Sequence, residues 1–136
     1  MQAGTPRRGP RLVRDMAHLA ALGVKFIATA SVLLWILAAA GSPAGPGGAL
    51  LLAGAVTLVG YAVGDRIVLP TGGPAVAMLV DVLLAAFVLA VATFLWPPLA
   101  LRPGLIGLAA LALGIAEFFF HRYLKAQGLA GTLPPD

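Results

Sequence analysis

Four long apolar stretches with very few charges limit what this chain can fold into more than any other feature of its sequence. An α-helix rises 1.5 Å per residue, so about 20 apolar residues span the hydrocarbon core of a bilayer. The long continuous runs lack the period-2 alternation of a membrane β-barrel. The sequence therefore predicts an all-α integral membrane protein, a four-transmembrane-helix bundle with spans at about 19–40, 49–64, 75–96 and 104–120.

Composition agrees with a chain whose surroundings are mostly lipid. The 136 residues are 60% hydrophobic and 10% charged, with a mean hydropathy of +0.99, whereas soluble domains carry about 25% charged residues. We predict one domain: a flexible basic N-terminal tail at 1–15, the transmembrane domain at 16–125 and a short C-terminal tail at 126–136. A basic stretch before an apolar one also resembles a cleavable secretory signal, but the long first apolar run and the later spans favour an uncleaved helix.

Charges outside the spans predict the orientation. Seven Lys or Arg residues lie outside the spans on the side of the two termini and the second loop, whereas the other side carries only Arg102. Since Lys and Arg accumulate on the cytoplasmic side of membrane proteins, both termini are expected there. These residues sit at the ends of apolar runs without the interleaved aromatics of a nucleic-acid-binding surface, so no nucleic-acid partner is expected.

Glycine and proline mark the predicted connections between spans. Residues 41–48 read GSPAGPGG and carry no charge, which predicts a short turn on the outer side. Residues 65–74 read DRIVLPTGGP, and their two charges with the Pro and Gly cluster predict a structured cytoplasmic loop. Before that loop, Gly60 and Gly64 form a small-xxx-small pair, which we interpret as a site of close helix packing.

Ionisable residues inside predicted spans are the candidates for chemistry, because a charge in hydrocarbon requires a partner or water. Lys25 and Asp81 each lie about six residues, or roughly 9 Å, inside the cytoplasmic end of a span. Glu117 lies near the end of span four, and Asp65 ends span two. Antiparallel spans bring all four to one leaflet, so the sequence predicts an inner-leaflet polar cluster that either fixes helix register or binds a cation, a proton or an anionic headgroup.

Three further polar residues could contribute to that cluster. His18, Lys25 and Thr29 share one broad face of span one, since steps of seven and four return to nearly the same side of a helix. His121 follows Glu117 at i, i+4, so the two share a helix face. Two such ligands are too few for zinc and no HExxH pattern is present, so neither a metal nor another cofactor is expected.

The sequence contains no convincing enzyme signature. Two acids on neighbouring spans, Asp65 and Asp81, suggest an intramembrane aspartyl protease, but Asp65 lies at the interface beside Arg66. A serine hydrolase is disfavoured because Ser31 and Ser42 belong to the outer half and the histidines to the inner half. Cysteine is absent, which excludes cysteine nucleophiles and thiolate metal sites. We therefore expect a non-enzymatic protein.

Four segments together resemble a known family: HLAALGVKFIATASVLL from His18, LVGYAVGDRIVLP from Leu58, DVLLAAF from Asp81 and AEFFFHRYL from Ala116. Their order and spacing resemble the YndM-like proteins, small four-span membrane proteins of spore-forming and related Gram-positive bacteria. The resemblance covers about residues 18–125 and implies a bacterial cytoplasmic membrane and a domain of unknown function, with no active site to transfer. Members of that family often carry an Asn after the Gly that follows the Leu-Pro motif, where this chain continues as GGP.

Two function hypotheses follow. The first is a structural or accessory membrane protein whose polar cluster organises the bundle, with membrane lipids, a second copy or another membrane protein as partner. The second is a small oligomeric transporter or channel subunit that uses Asp81 or Glu117 beside Lys25 as an ion, proton or headgroup site. A transport site must be hydrated, whereas a structural ion pair can be dry.

Overall fold

The structure is a computed structural model that describes residues 9–126, with side chains at all of these positions except 9, 10, 65, 69, 70, 121, 124 and 125. Within this range the chain is helical throughout its length apart from short turns, and no strand occurs. Four helices of the described range are long and apolar enough to cross a membrane, which confirms the predicted four-helix architecture. The elements are α1 (Gly9–Ala39), α2 (Gly45–Val59), a π-helix (Gly60–Val68), α3 (Leu69–Leu95), a 3₁₀ turn (Pro97–Leu99) and α4 (Pro103–Ala126).

The helices form an antiparallel ring in chain order. α1 packs against α2 and α4, and α3 packs against α4, α2 and the π-helix. The apolar core between them is rich in Ala and Leu, including Ala53, Leu33, Leu89 and Ala109. Small side chains let helices approach closely, which matters in lipid because association there depends on packing more than on the exclusion of water.

Large apolar side chains cover the outside of the ring. Leu51, Phe87 and Phe119 are each more than 60% exposed, as is Trp35. A soluble monomer rarely exposes so continuous an apolar surface. Such a surface is the one expected of a protein surrounded by acyl chains.

One end of the ring carries the described ends of the chain and the α2–α3 connection; we call it the terminal end, and the opposite one the loop end. At the terminal end α1 begins at Gly9, earlier than the predicted span. Residues 9–15, predicted to be part of a flexible tail, form the first turns of α1, and residues 1–8 lie outside the described range. Pro10 falls in the first turn, where no backbone N–H is required, and the following Arg and Leu residues favour helix. With 31 residues, α1 is about 46 Å long and exceeds the hydrocarbon thickness of about 30 Å.

The prediction of a loop at 65–74 is wrong, because most of this segment is helical. The chain stays helical from α2 through the π-helix and beyond, and the reversal into the antiparallel part of α3 is concentrated at Gly73, whose φ is 80° and ψ is 177°. Only glycine adopts that conformation without strain, and Pro74 then starts the return helix. The chain remains helical through residues 65 and 66, and the Arg66 side chain is exposed, so its charge can reach polar surroundings at a membrane boundary.

The loop end is closed by tight backbone geometry. Gly41 adopts a positive φ of 62°, and the N–H groups of Gly41 and Ser42 donate to the carbonyls of Ala38 and Leu37 at 3.1 and 3.0 Å, which is a Schellman cap. Ser42 Oγ donates to the Leu99 carbonyl oxygen at 2.7 Å. The α1–α2 turn is thereby tied to the connection between α3 and α4.

Candidate functional site

A buried ion pair joins α1 to α4. Lys25 Nζ lies 2.9 Å from Glu117 Oε1, and the two side chains are 2% and 9% exposed. The ammonium also lies 5.4 Å from the centroid of the Phe120 ring, within the range of a cation–π interaction. Glu117 and Phe120 are three residues apart on α4, so one face of that helix supplies both an anion and an aromatic face to the same cation.

Asp81 brings α3 into the same layer. Its side chain is buried, with 5% of its surface exposed. A Cβ placed on Gly60 would lie 3.5 Å from Asp81 Oδ1 and 3.3 Å from Lys25 Nζ, so the carboxylate and the ammonium approach the same patch of π-helix backbone. We call Lys25, Asp81 and Glu117 the charged cluster.

The two glycines of the small-xxx-small pair make room for this cluster. A Cβ on Gly64 would overlap the Asp81 carboxylate, lying 2.8 Å from its Cγ. The sequence predicted that this pair packs against another helix, and the structure shows that its neighbours are the polar ends of Lys25 and Asp81. The π-helix that carries both glycines is a rare form of helix that recurs at functional sites.

A small cavity lies beside the two carboxylates. Its volume is about 10 Å³, and Asp81, Glu117 and Gly60 line it together with apolar side chains such as Leu84 and Val88. This is about the space that a single water molecule requires. The cavity therefore has room for one bound water beside the charged cluster.

The remaining predicted site residues occupy different levels of the bundle. Thr29 is buried one turn deeper than Lys25 on α1. His18 is half-buried towards the terminal end, and its Nδ1 shares a 2.6 Å hydrogen bond with the Tyr61 hydroxyl, the donor being set by the imidazole tautomer. The side chains of Asp65 and His121 lie outside the described part of the structure.

Two contributing residues, Tyr61 and Phe120, were not predicted from the sequence, and Gly60 and Gly64 were predicted as packing residues but not as part of this site. Tyr61 and Phe120 partner His18 and Lys25, and Gly60 and Gly64 shape the space around Asp81. A signal existed for three of these four residues, because Phe120 shares a helix face with Glu117 and the glycine pair was recognised. Nothing in the sequence indicated which helix the glycines face.

The arrangement limits the chemistry available at the site. Two carboxylates and one ammonium in a buried layer can hold the helices in one register or hold a proton. Among the described side chains, no three His, Asp or Glu residues come together as candidate metal ligands.

Comparison with known protein families gives a match over most of the chain. Residues 16–132 match the model of DUF2512, described as a protein of unknown function. No curated protein and no solved structure matches the chain. The matched range includes the charged cluster, the glycine pair, and His18 and Tyr61.

Proposed function

This chain belongs to the DUF2512 family of proteins of unknown function, and we propose that it is a multi-pass membrane protein with a structural or accessory role and no enzymatic activity. The single observation behind this proposal is the burial of the charged cluster. Lys25 is 2% exposed, and the adjoining cavity has the volume of about one water. A group that carries ions or protons across a membrane requires access to water.

In this proposal the charged cluster fixes the relative positions of the helices. Moving a charge into a medium of low dielectric constant is unfavourable by several kcal/mol unless a partner compensates it. Sliding α1 by one turn would separate Lys25 from Glu117 and from Asp81, so alternative registers would each leave buried charges uncompensated. Charge placement of this kind selects one arrangement among helices whose apolar surfaces are otherwise similar.

We further propose the finer placement that the sequence suggests. Both termini would face the cytoplasm of a bacterium, in its cytoplasmic membrane, and the protein would be YndM-like. Two features support this: the Lys and Arg residues concentrated at the terminal end, and the four segments that resemble the YndM-like proteins. The exposed apolar outer face supports membrane lipids, a second copy or another membrane protein as partners.

Accessibility of the cavity tests the static role. Because the chain has no cysteine, Val59→Cys would place one thiol on the cavity wall and leave the three charges in place. Arg66→Cys and Arg102→Cys are exposed controls at the terminal and loop ends. A small membrane-impermeant thiol reagent, applied to each face of the membrane in turn, is expected to label the control on that face quickly and position 59 slowly from either face. Labelling of position 59 as fast as position 66, in a folded protein, would show a hydrated site and contradict the proposal.

A second candidate function is a small oligomeric transporter or channel subunit. The observation in its favour is that Asp81 and Glu117 line one cavity beside Lys25, next to a π-helix. Proton flux into liposomes carrying the purified protein tests it, with Asp81→Asn as the decisive variant. Flux abolished by this substitution would establish transport, whereas lowered stability without any flux would support the structural role.

A further inference from the structure

An open cleft at the terminal end is separate from the charged cluster. It has a volume of about 540 Å³ and lies between the first turns of α1 and the π-helix. Arg11, Arg14 and Arg66 line it together with His18 and Tyr61. Among the described side chains one carboxylate, Asp15, also lines the cleft, so arginines outnumber acids in the described lining.

The positions on α1 explain how one helix supplies most of this lining. Arg11, Arg14 and His18 follow one another at steps of three and four, so they share a helix face. The hydrogen bond between His18 and Tyr61, at 2.6 Å, joins that face to the π-helix. This polar pair and the exposed arginines can together surround a phosphate group, since guanidinium forks bind phosphate oxygens in pairs.

The lining of the cleft changes from charged to apolar along the membrane normal. Leu19 and Leu22 line its deeper part, and Leu22 lies about 12 Å below Arg14 along the helix. A soluble anion would make no favourable contacts with these apolar side chains. A phospholipid fits both parts, with its phosphate among the arginines and its upper acyl carbons against the leucines.

We propose that this cleft binds the headgroup of an anionic phospholipid in the leaflet at the terminal end. The recognised chemistry is a phosphate ester next to acyl chains. Tyr61 contributes an aromatic side chain at the depth where membrane proteins concentrate Tyr. The inference rests on the proposed membrane location, but it does not depend on whether the charged cluster is static or transports an ion.

Lipid retention by the purified full-length protein tests the proposal. Delipidated protein in a neutral detergent would be titrated with phosphatidylglycerol or phosphatidylcholine, and the bound lipids counted by native mass spectrometry. We expect a preference for phosphatidylglycerol, weakened about fivefold by Arg14→Gln and again by Arg66→Gln, since each basic residue near a membrane surface contributes about that factor. Arg14→Lys should retain part of the preference, because it keeps the charge and loses the fork.

Arg102→Gln is the matched control, because it removes the same charge from an exposed position at the loop end. Equal loss of lipid in this variant would show nonspecific attraction and overturn the proposal, as would equal retention of the two lipids by the unaltered protein. Displacement of phosphatidylglycerol by millimolar inorganic phosphate, dependent on Arg14 and Arg66, would instead assign the cleft to a soluble anion. Circular dichroism would verify that each variant is folded. Arg11→Gln is a second variant of the cleft for the same lipid titration. If the protein showed no lipid preference while Val59→Cys was still labelled slowly, the lipid-binding proposal would be rejected and the proposed structural role would stand.

Discussion

The two ends of the bundle are held together by different interactions. At the loop end, Leu99 is fully buried and Ser42 ties two connections to each other. At the terminal end, helices meet through the Lys25–Glu117 pair, Asp81 and the hydrogen bond between His18 and Tyr61. Apolar packing tolerates small shifts of one helix along another, whereas an ion pair at 2.9 Å does not. The comparison indicates that the loop end supplies close contact and the terminal end supplies register.

The largest effect is expected from breaking the ion pair. Lys25→Met removes the cation and leaves two buried carboxylates, so we expect the free energy of unfolding to fall by about 3–5 kcal/mol. Denaturation by SDS in mixed micelles measures it. In a double-mutant cycle with Glu117→Gln, the two losses should couple by at least about 1 kcal/mol. Strict additivity would mean that the pair does not act as a unit.

Truncating the buried Leu99 side chain at the loop end should have the next largest effect on stability. Leu99→Ala opens a cavity at a fully buried position, and such substitutions reduce the free energy of unfolding by about 2–5 kcal/mol. Leu95→Ala is the control, since Leu95 is 73% exposed and should matter little. Equal melting temperatures for the two variants would contradict the assignment of Leu99 to the core.

Alanine substitutions of glycines near the charged cluster and far from it should change the free energy of unfolding differently. Gly64→Ala forces the Asp81 carboxylate to move and should destabilise the protein by about 2 kcal/mol. Gly60→Ala should have a smaller effect, because its nearest contacts would be 3.3–3.5 Å. Gly54 has no atom within 4 Å of an added Cβ, so Gly54→Ala should raise the free energy of unfolding by up to about 1 kcal/mol. A reversed order in the SDS titration would place Asp81 away from the π-helix.

The smallest effect concerns the tie between connections at the loop end. Ser42→Ala removes the hydrogen bond to the Leu99 carbonyl oxygen and should reduce the free energy of unfolding by about 1 kcal/mol. Ser31→Ala is the matched control, because the exposed Ser31 hydroxyl bonds only to the Ile27 carbonyl of its own helix among the described residues. A Ser42 variant as stable as the control would show that packing alone closes this end.

Much of the architecture could be predicted because lipid restricts the possibilities. A chain in hydrocarbon must satisfy its backbone hydrogen bonds within each segment, so long apolar runs become helices. The shared level of Lys25, Asp81 and Glu117 followed from counting residues along antiparallel spans. The segment around Gly73 was predicted less well, since Gly and Pro composition marks a reversal without showing that one residue makes it.

The sequence by itself determined the number of spans, the antiparallel order and the level at which each charge lies, because these depend on length and on the apolar pattern. Only the tertiary structure decided which acid pairs with Lys25, that Gly60 and Gly64 accommodate polar side chains, and that Tyr61 reaches His18. Those outcomes depend on the rotation of each helix about its axis. In an almost uniformly apolar bundle the hydrophobic pattern specifies rotation weakly, so the few polar contacts and the close packing of small residues decide it.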